Sequence, residues 1–326
     1  VADDKQSAKL KALERILERV GKKHGDSLTT MAKGNIGHVL GAVPSPLSAL
    51  NHYVLGPGGF AFERMSEIFG PESSGKSSLV MGCLAEVQRA GIGLYIDVEN
   101  ACTQERCDVL GVNKEELLMA SDIDSAEEAF QLLLDTVDAH KNDVPLLAVY
   151  DSVPAMVTEA EGKSDVEDAH MSPMARVMSK FIPRLVKALK GKHAHVIFVN
   201  QIREKPGVMW GSPEYTPGGK ALKFYATARL RTAGVKRRDG GLEVKVKCHK
   251  NKLGEPGREM LSFLHFQNGW DDSWTTLNHA KDLKLVPDAT RSSEAAYLAL
   301  GWPSPTVSEA AERLGGEKPK KAKAAK

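Results

Sequence analysis

Gly70-Pro71-Glu72-Ser73-Ser74-Gly75-Lys76-Ser77 fits G-x-x-x-x-G-K-[ST] at every fixed position, and its flanks decide how the chain folds. A short apolar run, Met65 to Phe69 with Ile68 at its centre, precedes it. Leu79, Val80, Cys83, Leu84 and Val87 follow at helical spacing. Strand, loop and helix in that order make a nucleoside triphosphate site. The glycines let backbone N–H groups, from Gly70 round to Ser78, curl about phosphate oxygens at a helix N-terminus. Lys76 brings a point charge to the terminal phosphates, and the Ser77 hydroxyl ligates Mg²⁺. A Gly/Ser loop that merely caps a helix is the competing reading, and the flanking elements speak against it.

Apolar strands alternate with helical stretches beyond the motif: Ile92 to Ile96, a helix near Ala126 to His140, Leu146 to Tyr150, a helix near Met174 to Lys190, then Val196 to Val199. This alternation predicts an α/β fold, a mainly parallel sheet flanked by helices, with ligands beyond the carboxyl ends of the strands. Residues 221 to 264 read as strand-rich, with Ala228 to Arg231, Leu242 to Cys248 and Glu259 to Phe263 as antiparallel additions. Leu10, Leu13, Leu17 and Val20 share one face of an N-terminal helix whose other face is charged. The expected organisation is an N-terminal helix and linker over 1–34, a nucleotide-binding core over 35–268, a small C-terminal domain over 269–316 and a basic tail over 317–326.

The chain of 326 residues carries a net charge of only +2, but Arg203 to Lys252 holds thirteen Lys or Arg against four Asp or Glu. That segregation fits a polyanion-binding surface on one part of the fold, or a solvated charged face. Cys83, Cys102, Cys107 and Cys248 show no paired C-x-x-C spacing, and there is neither a signal segment nor an apolar run of about 18 residues. The expectation is a reduced, cytoplasmic protein with no membrane partner. Cys102 and Cys107 with His249, or with His193 and His195, do not complete a metal-ligand set, so ordinary packing is expected of them.

Hydrolysis of a triphosphate needs a held metal, a positioned water and positive charge on the transferred group. Asp151, directly after the strand Leu146 to Tyr150, is placed to support Mg²⁺. Glu99, two residues after Asp97, is placed to orient water. Acids at strand ends also serve as simple helix caps.

Taken together, Gly70 to Ser78, Tyr95-Ile-Asp-Val-Glu99, Tyr150-Asp-Ser-Val153, Val199-Asn-Gln-Ile-Arg203, Gly207-Val-Met209, Gly218-Gly219, Ala221-Leu-Lys-Phe-Tyr225 and Lys250-Asn-Lys252 resemble the RecA family of homologous-recombination ATPases. The resemblance runs over roughly residues 35 to 265. It implies a RecA-like P-loop NTPase core that takes ATP and Mg²⁺, assembles into helical filaments on single-stranded DNA, and exchanges strands with a homologous duplex. Residue by residue, it implies that Glu99 activates water, Asp151 supports the metal, and Gln201 senses the terminal phosphate at the start of a DNA-binding loop. Lys250 and Lys252 would reach the neighbouring subunit's nucleotide.

By the same resemblance, two loops near 161–171 and 204–218 would grip DNA. Arg176, Ser179, Arg203, Gly218 and Gly219 would lie against the backbone, with Met171, Val208 and Met209 as wedges between bases. Lys245 and Lys247, with Lys236, Arg237 and Arg238, would attract a second DNA molecule. Phe224 is either a relay across the subunit interface or plain core. The chain departs from the family pattern at Thr103 and Arg106, where an acidic residue and a tyrosine commonly hold the adenine. Pro206, Pro213 and Pro217 in the second loop and a basic tail in place of an acidic one are further departures. These fit a divergent relative, of cellular or phage origin. A ring-shaped translocase on the same core and a non-hydrolysing recombination mediator are the alternatives.

Overall fold

The computed structural model describes residues 2–24, 39–163, 173–204, 214–238 and 240–304. Met171, Val208, Met209, Pro206, Pro213, residues 25–38 with the linker that follows the N-terminal helix, and the 317–326 tail lie outside these residues. Two compact units result, Val1–Val39 and Leu40–Lys326. The first contributes α1 (Ala2–His24), whose unit holds no second described element to cover the leucine stripe.

The second unit is built on a nine-stranded sheet. Its parallel part is β3 (Arg64–Gly70), β4 (Ile92–Asp97), β5 (Leu117–Ala120), β6 (Leu146–Asp151), β7 (Ala194–Gln201) and the start of β10 (Ala228–Arg238). β11 (Gly241–Asn251), β12 (Glu259–His265) and β13 (Gly269–Asp271) extend it antiparallel, giving the order β13-β12-β11-β10-β3-β7-β6-β4-β5. Two small antiparallel pairs, β1 (Ala42–Val43) with β2 (Phe60–Ala61) and β8 (Arg203–Glu204) with β9 (Glu214–Tyr215), stand apart from it. The alternation in each central strand explains the layering. Leu147, Val149, Ile197 and Val199 point to one face, where α2 (Lys76–Val87) and α3 (Gln104–Leu110) pack. Leu146, Ala148, Val196 and Phe198 point to the other, beneath α4 (Ala126–Ala139) and α6 (Pro173–Leu189).

β10 runs well past its apolar start because its outer end, Lys236-Arg237-Arg238, is charged, and β11 carries Lys245 and Lys247 between its apolar positions. A five-residue helix, α7 (Ala221–Tyr225), stands where the sequence reads as strand-rich. Another short helix, α5 (Glu159–Lys163), takes in the first residues of the loop expected over 161–171, whose remainder lies outside the described residues. α8 (Asp272–Asp282) packs on β12, with α9 (Ser293–Leu300) against α8. The carboxylate of Asp272 ties this end back, accepting the Ser48 N–H and hydroxyl and the Tyr297 hydroxyl at 2.7 Å each. Among the described residues no helix is long and apolar enough to cross a membrane.

Candidate functional site

Parallel pairing brings the carboxyl ends of β3, β4, β6 and β7 to one edge of the sheet, and with them Gly70, Asp97, Asp151 and Gln201. The loop between β3 and α2 turns on Gly75, whose φ of 85° lies in the left-handed region that a side chain rarely adopts. Gly70 is needed for a different reason: a Cβ there would meet the Thr232 carbonyl oxygen at 2.3 Å. Ser74 braces the turn by donating to the Pro71 carbonyl at 2.7 Å. Behind the loop stands Trp270 of β13, whose indole N–H donates to the Ser78 carbonyl at 3.0 Å. Nothing in the spacing of the motif announces that a residue 192 positions away backs it.

Lys76 is buried, with its ammonium held by the carbonyls of Gly70 at 3.2 Å and Pro71 at 2.6 Å. Burial lowers its pKa, opposed by the charges of Asp151, Glu99 and Glu72. A desolvated ammonium beside the positive end of α2 makes a cradle whose charge fits a polyphosphate. Facing it, Asp151 is 5 % exposed, with its pKa raised by burial and by the nearby Glu99 and Asp97, against hydrogen bonds from Ser77 and Tyr95. Tyr95 donates to Asp151 Oδ2 at 2.9 Å. Among the described residues no three His, Cys, Asp or Glu side chains form a metal cage. The Ser77 hydroxyl and the Asp151 carboxylate instead fit Mg²⁺, which takes one or two protein ligands together with phosphate oxygens.

Asp97 shapes the segment after β4 by accepting the N–H groups of Ala101 at 3.2 Å and Cys102 at 2.8 Å, which sets Glu99 between them. Glu99 Oε1 accepts the Ser152 hydroxyl and the Gln201 amide, the latter at 3.0 Å. Ser152 and Asp97 both lie inside motif segments, yet their contacts are not readable from spacing. Thr103 is the N-cap of α3, accepting the Arg106 N–H at 3.2 Å, while the Arg106 guanidinium reaches the Ser78 hydroxyl. That contact brings Arg106 to the phosphate-loop helix. The sulfurs of Cys102 and Cys107 are 3.6 Å apart across the N-terminus of α3. His195 is bonded to the Ala61 carbonyl and His193 stacks on Phe62.

Lys250 and Lys252 do not join this cluster. Lys250 lies in register with Arg229, itself beside Glu67 near the middle of β3. Its ammonium holds the carbonyls of Lys223 at 2.7 Å and Phe224 at 2.8 Å; Lys252 holds that of Tyr225 at 3.0 Å. Both cap α7, which carries Phe224 at 68 % exposure, so plain core does not describe that ring.

A second concavity of about 550 Å³ opens beyond β7. Arg203, Gly218, Gly219, Met174 and Ala175 line it. A Cβ on Gly218 would meet Val153 at 3.0 Å, and one on Gly219 would meet Ala175 at 2.9 Å. Both also have positive φ, 86° and 77°. Ser179, one turn on from Ala175, donates to its carbonyl at 2.7 Å. Arg176 is turned away from this groove, into one between α6 and α4 beside Gln131 and Lys180. On β11, Lys245 and Lys247 share Glu259 at 2.7 and 3.4 Å.

Comparison with known proteins agrees in extent with this geometry. The RecA N-terminal domain family matches residues 11–271. Protein RecA of Streptococcus gordonii is 36% identical over 289 residues, 86% of this chain and 74% of that protein. Protein RecA of Levilactobacillus brevis is 37% identical over 292 residues, 88% and 75% of the two chains. Protein RecA of Lactobacillus delbrueckii subsp. bulgaricus is 36% identical over 295 residues, 89% and 87%. The crystal structure of the RadB recombinase shares the fold, with a TM-score of 0.52 at 17% identity over 68% of this chain and 96% of that one. A phosphate loop, its facing acids and a match that spans the whole sheet converge on one assignment: the chain belongs to the RecA family.

Proposed function

We propose that the chain is a DNA-dependent ATPase that assembles into helical filaments on single-stranded DNA and exchanges strands with a homologous duplex. Membership of the RecA family carries the coarser reading, a recombinase of DNA recombination and repair that binds ATP and DNA. The observation that supports the finer one is the 3.0 Å hydrogen bond from Gln201 to Glu99. Gln201 ends β7, and two residues later Arg203 lines the groove with Gly218 and Gly219. One strand end thus touches both the acid beside the phosphate loop and the groove proposed for DNA.

In this reading the loop N–H groups from Gly70 to Ser78 and the Lys76 ammonium hold the triphosphate, Ser77 and Asp151 hold Mg²⁺, and Arg106 with Thr103 faces the base. When bound, Mg²⁺ neutralises charge that builds on the phosphates during transfer. Glu99 accepts the proton of the attacking water, held in place by Ser152 and Gln201. Lys250 and Lys252 leave the α7 carbonyls to face a neighbouring protomer's phosphates, with exposed Phe224 between the subunits. Residues 1–34 serve subunit association and 317–326 a basic arm.

Phosphate release with and without oligothymidylate, together with negative-stain microscopy under a slowly hydrolysed ATP analogue, tests the proposal. Stimulated hydrolysis and helical filaments are expected. Closed rings would favour the translocase, and filaments without hydrolysis the mediator.

A further inference from the structure

We propose that Glu67 is a positioning residue that couples the nucleotide site to the base of the second DNA loop, an inference that rests on the nucleotide-dependent DNA binding proposed above. Glu67 stands on β3 three residues before Gly70 and is 0 % exposed. A carboxylate at the centre of a sheet persists only when partners replace the water it has lost. Its two oxygens take different ones. Oε2 accepts Arg229 Nε from the neighbouring strand β10, and Oε1 accepts the Asn200 amide from β7 at 2.9 Å.

Both partners reach onward to the same segment. The Asn200 amide also donates to the Pro217 carbonyl at 3.1 Å, and an Arg229 guanidinium nitrogen meets the Thr216 hydroxyl at 3.5 Å. Asn200 Oδ1 in turn accepts the backbone N–H of Gln201 at 3.0 Å. One buried carboxylate therefore joins the strand that carries the phosphate loop, the residue preceding Gln201, and the Thr216–Pro217 approach to Gly218 and Gly219. Asn200 is 0 % exposed, so its arm of the connection is shielded from bulk solvent. In such a desolvated network the members shift as a unit. A displacement of Gln201 on phosphate binding is passed to Asn200 and from there to the Pro217 carbonyl, which sets the groove wall.

The alternative is a purely structural ion pair. Anisotropy of labelled oligothymidylate with the full chain separates the two, titrated with and without a slowly hydrolysed ATP analogue and Mg²⁺. For wild type the ratio of the two dissociation constants is expected within the roughly 5–150-fold range of allosteric couplings. Asn200→Ala and Glu67→Gln are expected to bring that ratio within about twofold of one, while nucleotide affinity without DNA stays within about threefold of wild type. Asn200→Ala leaves the Glu67–Arg229 pair in place, so it carries the test should Glu67→Gln unfold; thermal melting monitors both. An undiminished ratio in Asn200→Ala overturns the coupling and leaves the proposed function standing. Parallel loss of both affinities overturns it in favour of a structural pair. A wild-type ratio of one overturns the coupling and the functional reading together.

Discussion

Gln201 and Glu99 are joined by one hydrogen bond of 3.0 Å, although β7 and β4 are not neighbours in the sheet and β6 runs between them. The bond bridges over the end of β6, where Ser152 adds a second donor to the same carboxylate oxygen. A group so anchored is aimed rather than free. Glu99→Gln is therefore expected to retain nucleotide binding while phosphate release falls by about 10²–10⁴-fold, the usual share of a general base. Titration of a fluorescent ATP analogue beside a phosphate-release assay checks both halves. Lost binding would mean that Glu99 shapes the pocket instead of activating water.

Asp151 carries a cost at neutral pH. Its folded pKa lies above the ordinary value of 3.8, first because it is buried. The folded state thus holds its proton more tightly than the unfolded chain, and the stability this brings is present below the ordinary value and lost as pH rises through the folded one. Asp151→Asn is expected to melt no lower than wild type at pH 7, with the two converging as pH falls towards the ordinary carboxylate range. It should also lose the Mg²⁺-dependent gain in melting temperature that wild type shows with nucleotide. A variant melting well below wild type at pH 7 would show that the carboxylate is a net stabiliser.

Lys250 and Lys252 direct their charge to α7 carbonyls within their own chain. If they complete a neighbour's site, Lys250→Ala with Lys252→Ala should bind nucleotide and hydrolyse it poorly, and Lys76→Ala should fail to turn it over. Mixed in equal amounts and shown to co-assemble, the two should recover part of the activity, since some junctions pair an intact Lys76 with intact lysines. Co-assembly without recovery would confine the lysines to capping α7.

Glu259 holds both Lys245 and Lys247, and these two ion pairs depress its pKa. The lysine pair proposed for duplex capture is thus partly neutralised. Glu259→Gln is expected to strengthen duplex binding and steepen its salt dependence, by about 0.9 in the logarithmic slope for each further phosphate neutralised. Lys245→Ala with Lys247→Ala should flatten it while single-strand binding holds. Equal effects on both DNA forms would place these lysines in the first site or in the fold.

The phosphate loop and the acids after β4 and β6 were legible because each depends on local order: apolar run, turn, polar end. The reach of Arg176 was not. Spacing along α6 puts Arg176 near Ser179, but only the packing of that helix on the sheet turns Ala175 to the groove and Arg176 towards α4, while Ser179 donates back to the Ala175 carbonyl. Glu67 is not legible for a related reason. One charged residue among Met65, Ile68 and Phe69 reads as a solvated edge position, whereas its partners come from strands more than 130 residues away. The five residues of α7 are too few for helical periodicity to separate them from the strand that follows.

Trp270, 7 % exposed and bonded to the first turn of α2, gives the protein an optical probe of its own. An indole whose N–H is fixed to a carbonyl responds in wavelength and intensity when that helix turn moves. Trp210, Trp274 and Trp302 are the other indoles of the chain, so exchanging those three for phenylalanine would leave a single indole, behind the phosphate loop. Stopped-flow emission from such a protein would time nucleotide arrival directly, with no dye attached and no DNA present.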